Sequence, residues 1–177
     1  MAVFQTIRNL FVPAETAAPE IIVPAPLTAY DIHPLTLKNL KEVLRLNIRC
    51  FRDGENYTKH TFSYLLNEPN TLSYRVVTPS GEMVAFVVVM VGENGAAHLT
   101  TIGVAPEHRR RGIAQRLLAH TEEAVRRRQI ATVMLEVRVS NTSAQRLYRQ
   151  NGYAVTQRIE KYYNNGEDGY LMMKPLG

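Results

Sequence analysis

The stretch Thr101–Ala114, TIGVAPEHRRRGIA, holds the densest set of residues able to do chemistry. Its pattern ends a strand at Val104 and starts a helix near Arg111. A helix start leaves backbone N–H groups unpaired, and the helix dipole favours negative charge beside them. Gly112 and Ala114 keep the first turn free of bulk, so a pyrophosphate can approach the backbone while the flanking arginines add charge. The loop carries neither the G-x-x-x-x-G-K-[ST] of a Walker A motif nor the dinucleotide G-x-G-x-x-G. Alone, it leaves two readings open: a phosphate cradle, or a basic helix start with no ligand.

A second group lies between Leu135 and Tyr153. Glu136 alternates with Leu135 and Val137, so it points away from their face and is either a rim carboxylate in water or a catalytic group in a cleft. Asn141 stands where a helix needs a cap. Tyr148, beside Leu147 on an amphipathic helix, fits a core ring with its hydroxyl at an edge. Cys50 is the lone cysteine; no histidine or asparagine arrangement activates it, so a packing role is expected.

Regular elements must position these groups. Leu27–Ile32 reads as a strand and Leu35–Ile48 as a helix, with a second, shorter helix near Tyr57–Leu66 after a polar break at 52–56. Leu72–Thr78 and Glu82–Val91 are strands joined by Pro79-Ser80-Gly81, and Glu93-Asn94-Gly95 turns into a strand at Ala97–Val104. Ile113, Leu117, Leu118, Thr121, Ala124 and Val125 make one helix face. Val133, Leu135 and Val137 make one strand face, and Ala144, Leu147 and Tyr148 face inward from a helix that Gly152 stops. Tyr153–Tyr163 and Tyr170–Lys174 form a last hairpin. The order predicts a mixed α/β sheet of six to seven strands, antiparallel in its first half. Residues 1–26 stand apart as an extension: a short amphipathic helix over Val3, Phe4, Ile7, Leu10 and Phe11, then a proline- and alanine-rich linker before a domain at 27–177.

Composition narrows the class. A chain of 177 residues that is 45% apolar can bury roughly 70% of its unfolded surface without disulfides or metal. One cysteine excludes a disulfide scaffold and a cysteine-cluster zinc site. The longest apolar run, Met83–Val91, is less than half of the ~20 residues that span a bilayer, and no clean cleavage signal follows the first residues. A cytoplasmic protein without a membrane partner is expected. The net charge of +5 comes from arginine clusters at 109–111 and 126–128; the second reads as a solvated helix end. No reading helix or aromatic sheet for nucleic acid is recognisable.

In context, 101–114 resembles the acetyl-CoA motif R/Q-x-x-G-x-G/A of the GNAT N-acetyltransferase superfamily, with Arg109, Gly112 and Ala114 at the motif positions after Val104-Ala105-Pro106. The element order from Leu27 onward is also that family's order. The resemblance implies a twisted sheet with flanking helices and a splay between its two central parallel strands. It implies coenzyme contacts at Ile102, Gly103 and Val104, and a pyrophosphate on Arg109, Arg110, Arg111, Gly112, Ile113 and Ala114. The block LEVRVSNTSAQRLYRQNGY (135–153) resembles the signature of RimI-like Nα-acetyltransferases. By that resemblance Glu136 is the base, Asn141 bonds the pantetheine arm, and Tyr148 lies next to the CoA sulfur. KYYNNGEDG (161–169) resembles their Y-Y-x-x-G-E-D-A hairpin, in which Tyr162 and Tyr163 would hold the substrate backbone. Glu55-Asn56-Tyr57 is similar to the P-E-N-Y loop of archaeal and eukaryotic relatives, with Gly54 in place of the proline, and implies Glu55 and Tyr57 at the pocket for the substrate's first side chain.

The implied reaction is direct attack of an amine on acetyl-CoA in a ternary complex, with no metal. A protein N-terminus is the expected acceptor, a ribosomal protein near the ribosome among the candidates. The rivals are acetylation of a lysine side chain or small-molecule amine and, more distantly, a non-catalytic acyl-CoA-binding module.

Overall fold

The computed structural model describes residues 11–12, 21–51, 56–92 and 95–177. Seven strands form one sheet: β2 (Asp31–Pro34), β4 (Thr71–Val77), β5 (Met83–Val91), β6 (Ala96–Val104), β7 (Thr132–Arg138), β8 (Ala154–Ile159) and β9 (Gly169–Pro175). Their spatial order is β2-β4-β5-β6-β7-β9-β8. Two short strands, β1 (Phe11–Val12) and β3 (Asn56–Tyr57), pair separately and antiparallel. The helices are α1 (Leu40–Cys50), α2 (Lys59–Asn67), α3 (Ile113–Arg127) and α4 (Thr142–Gln150). Among the described residues no helix is long and apolar enough to cross a membrane.

The unbroken apolar run of β5 becomes the centre of the core, with Val84–Val89 fully buried. A strand apolar on both faces needs cover on both. Tyr74 of β4 meets His120 of α3, whereas Arg75 reaches Glu42 of α1, so α3 and α1 lie on opposite faces. Ile113, Leu117, Leu118, Thr121 and Val125 are buried along α3, as the three-and-four spacing predicts, and each buried aliphatic contributes about 1.5–3 kcal/mol. Val133, Leu135 and Val137 are buried on β7.

The feature that matters for function is a split in the sheet. The parallel strands β6 and β7 pair over three rungs only, Ala96–Thr132, Ala97–Val133 and His98–Met134. Beyond them β6 stays with β5 as far as Val104, and β7 stays with β9 as far as Gly169. The register of β6 against β5 skips Thr100 at the same level. A bulge bends its strand and increases local twist, which turns β6 away from β7 at this point.

Several boundaries differ from the sequence reading. The first strand starts at Asp31, not Leu27, whose side chain is exposed. Tyr57, expected in a helix, is in β3; α2 follows only after Thr58, whose Oγ1 accepts from the Thr61 amide at 3.1 Å. Phe11, expected on a helix, is extended and pairs with Tyr57; the rest of that expected helix lies outside the described residues. Helix α3 begins at Ile113 because Gly112, at φ +73°, forms its left-handed cap.

Candidate active site

The splay opens a cleft of about 600 Å³ whose floor and walls come from β6, β7, the loop before α3, and α4. At one end lies the arginine loop. Arg110 and Gly112 both have positive φ, +64° and +73°. For the non-glycine Arg110 this costs about 1–2 kcal/mol. Among the described residues none of the amides from Arg110 to Ala114 donates to a protein acceptor. Five free N–H groups in a row at the start of a fifteen-residue helix suit a polyphosphate. Arg109 braces the loop, with Nε donating to Val104 O at 3.1 Å and Nη2 to Cys50 O at 3.3 Å. Arg110 is exposed at the cleft. Arg111 is not a lining residue: its guanidinium turns away to the carbonyls of Ala25 and Pro26 and the hydroxyl of Tyr30. Its backbone can serve an anion, but its side chain is engaged elsewhere.

Ile102, Gly103 and Val104 form the β6 wall. A β-carbon at Gly103 would sit 2.8 Å from the Phe86 ring and 3.0 Å from Cys50 Sγ, so this close approach of strand to ring admits only glycine. Burial pushes the Cys50 thiol up to about 11, against the pull of Arg109 and Arg49. It is a neutral packing group at physiological pH, as expected.

On the β7 wall stands Glu136, its side chain only 6% exposed. Oε2 lies 2.6 Å from Nε2 of His98, and Oε1, also buried, has no hydrogen-bond partner among the described residues. Nδ1 of His98 lies 3.3 Å from Thr100 Oγ1. With the carboxylate ionised, the imidazole Nε2–H donates to it and Oε1 is left as an acceptor in a cleft. Of the two readings of Glu136, the geometry supports the cleft group.

Helix α4 brings the other groups. Asn141 Oδ1 accepts from the Ala144 amide at 3.0 Å, so the residue caps α4 while lining the cleft. Gln145 Nε2 donates to the carbonyls of Arg138 and Val139, fixing the helix to the end of β7. Tyr148 is buried and lines the cleft with its ring edge-on to Tyr153. Tyr153 donates to Glu122 at 2.9 Å, and Lys174 closes on the same carboxylate at 2.6 Å, so Tyr148 rests on an anchored support. Burial drives the Tyr148 hydroxyl far above the ordinary tyrosine value, which keeps it protonated.

Aromatic rings also line the cleft. Tyr57 lines it, with its hydroxyl donating to the carbonyl of the bulged Thr100 at 3.1 Å. Tyr163 lines it too, with Arg138 Cζ 3.9 Å from the ring centroid. Tyr162 does not line the cleft; its ring covers Gly169 and meets Tyr163 edge-on. Glu55 lies outside the described residues.

The profile of the acetyltransferase (GNAT) family matches residues 40–153. The chain belongs to that family. The N-alpha-acetyltransferase daf-31 of Caenorhabditis elegans is 32% identical over 82% of each chain. An N-alpha-acetyltransferase of Sulfurisphaera tokodaii is 31% identical over 83% of this chain and 93% of its own. Among solved structures, the ribosomal-protein-S18-alanine N-acetyltransferase of Escherichia coli superposes with a TM-score of 0.77 at 28% identity, over 84% of this chain and 95% of that one. GNAT enzymes use acetyl-CoA, and the unpaired amides after β6 suit its pyrophosphate.

In this acetyltransferase the structure adds two residues that sequence reasoning missed. His98 carried a signal: it precedes Thr100 by two on a strand expected beside that of Glu136, so both can face one gap. Arg138 carried one as well, two residues after Glu136 on the same face, and it pairs with Glu167 at 2.6 Å. That ion pair ties the 163–167 turn to β7 beneath Tyr163.

Proposed function

We propose that this acetyltransferase moves the acetyl group of acetyl-CoA to the α-amine of a peptide or protein N-terminus by direct attack in a ternary complex. The observation that carries the reading is the buried Glu136 carboxylate at the splay, with one oxygen held by His98 and the other without a partner among the described residues. The attacking nitrogen must lose a proton as its bond to the thioester carbon forms, and Oε1 stands as the acceptor, directly or through a water. The C–S bond breaks as the thiolate leaves, and Tyr148, kept protonated by burial, supplies that sulfur with a proton. Reference pKa values of about 7.8 and 10.4 give an α-amine roughly 400-fold more free base near neutrality than a lysine, so a lone carboxylate suffices for it.

The relatives support the acceptor. Two of about 30% identity over four-fifths of the chain are named for α-amine acetylation, and the E. coli neighbour acts on the alanine of a ribosomal protein. A ribosomal protein is therefore a candidate substrate. The test is acetyl-CoA turnover on short peptides with varied first residues, each with a free or blocked N-terminus. Turnover only with the free α-amine is expected. Equal turnover of blocked, lysine-containing peptides would give the enzyme to side-chain chemistry instead.

A further inference from the structure

The proline-rich segment before β2 is tied to the back of the arginine loop. Ala25 stands between Pro24 and Pro26, which hold the chain extended and make its carbonyls available. The Ala25 amide donates to Glu107 O at 3.0 Å. The Arg111 guanidinium takes the carbonyls of Ala25 and Pro26, the latter at 2.9 Å, and the Tyr30 hydroxyl at 2.7 Å. Tyr30 in turn reaches His108 Nδ1 at 2.9 Å, and Arg116 of α3 donates to Tyr30 O at 3.0 Å. Every one of these contacts lands on the loop or the helix that carries the five unpaired amides.

Arg111 sits between the two left-handed residues, Arg110 and Gly112. Its side-chain contacts therefore fasten the residue that joins them. We infer that residues 25–30 are a strap that sets the coenzyme loop through Arg111, making the Arg111 side chain a positioning group for the pyrophosphate rather than a ligand to it. The strap and the coenzyme then stabilise each other: what loosens one weakens the other by the same factor. The inference rests on the acetyl-CoA reading of the loop.

The experiment measures CoA affinity by calorimetry for the full chain, Arg111→Ala and Tyr30→Phe, with amide hydrogen exchange at Ala25 in the presence and absence of CoA. Arg111→Ala is expected to weaken CoA by about 5-fold or more, and Tyr30→Phe by less in the same direction. The KM for peptide is expected to stay put. CoA is expected to slow exchange at Ala25 in the unaltered chain and to lose that effect in Arg111→Ala. CoA affinity within twofold of the unaltered chain in both variants would overturn the strap. So would weakened binding with Ala25 exchange indifferent to CoA, since Arg111 would then act on the coenzyme directly. Failure of the unaltered chain to bind CoA would fell the acetyl-CoA reading itself, a distinct result.

Discussion

His98 Nε2 and Glu136 Oε2 stand 2.6 Å apart across the point where β6 and β7 separate. The pair does two things. It ties the strands together at the last rung they share, and it holds one oxygen of a carboxylate whose residue lines the cleft. Glu136→Gln should lower kcat by the 10²–10⁴-fold typical of a lost general base. The loss should be greatest at low pH and shrink as pH rises, because the amine then becomes free base unaided. His98→Ala should lower kcat less, and the double variant should be no worse than Glu136→Gln alone, since His98 acts through the carboxylate. A His98→Ala enzyme with the kcat and pH profile of the unaltered chain would remove this positioning role.

Tyr148→Phe keeps the ring against Tyr153 and deletes only the proton donor. Thiols are more acidic than tyrosine, with a cysteine reference value of about 8.5, so the drop in kcat should fall near the lower end of the 10²–10⁴-fold range, with CoA affinity little changed. Because burial raises the hydroxyl well above its usual value near 10, the acid stays protonated in alkaline solution. The pH–rate profile should therefore show no alkaline fall from a tyrosine of ordinary pKa. Full kcat in a variant that melts like the unaltered chain would reduce Tyr148 to packing.

Most of the scaffold was legible because its signals are local. The apolar run of β5, the periodicity of α3 and the cap at Asn141 each follow from a few neighbouring residues. The direction of Arg111 was not, since it depends on a left-handed backbone at Arg110 and on carbonyls more than eighty residues away. His98 was missed for a related reason: its partner is 38 residues off, and only the register of β6 on β7 brings them together. The motif gives the two tyrosines of the last hairpin one role, yet β8 ends at Ile159 and the chain turns through Lys161, at φ +48°, leaving Tyr163 at the cleft and Tyr162 on Gly169.

Gly112 is a backbone requirement rather than a space requirement. A β-carbon there would find only Gln115 Oε1, at 3.8 Å, but φ is +73°. Gly112→Ala should cost about 1–2 kcal/mol of stability and Gly112→Val more, with both weakening CoA as the amides turn from the cleft. CoA affinity like that of the unaltered chain, measured by calorimetry on a folded variant, would take the anion site away from this loop.

The turn under Tyr163 should be sensitive to acid. The Lys161 amide and then Arg158 hold the Asp168 carboxylate below its ordinary value. For Glu167, burial pulls upward, but the Ser140 amide and Arg138 outweigh it and the net shift is also down. Groups with depressed native pKa values stabilise the fold above their unfolded values, near 4, and lose that contribution as pH falls through the native ones. Glu167→Gln should therefore lose less melting temperature between pH 5 and pH 3 than the unaltered chain. An equal loss in both would place the acid-sensitive contacts elsewhere.

The hairpin tyrosines should separate by function. Tyr163 lines the cleft over Arg138, whereas Tyr162 packs on Gly169 at the base of β9. Tyr163→Ala should raise the peptide KM and leave CoA affinity almost unchanged, because its ring contacts, Arg138 and Tyr162, lie outside the coenzyme loop. Tyr162→Ala uncovers Gly169 and should chiefly lower the melting temperature, with a smaller rise in peptide KM. Tyr163→Phe keeps the ring over the guanidinium, so it separates packing from hydrogen bonding. A peptide KM like that of the unaltered chain in Tyr163→Phe would assign the clamp to the ring face, and one as high as in Tyr163→Ala would assign it to the hydroxyl. If instead Tyr162→Ala alone raised the peptide KM, the substrate would have to lie along the outer side of the hairpin, and the part of the cleft lined by Tyr57 and Tyr163 would not be its seat.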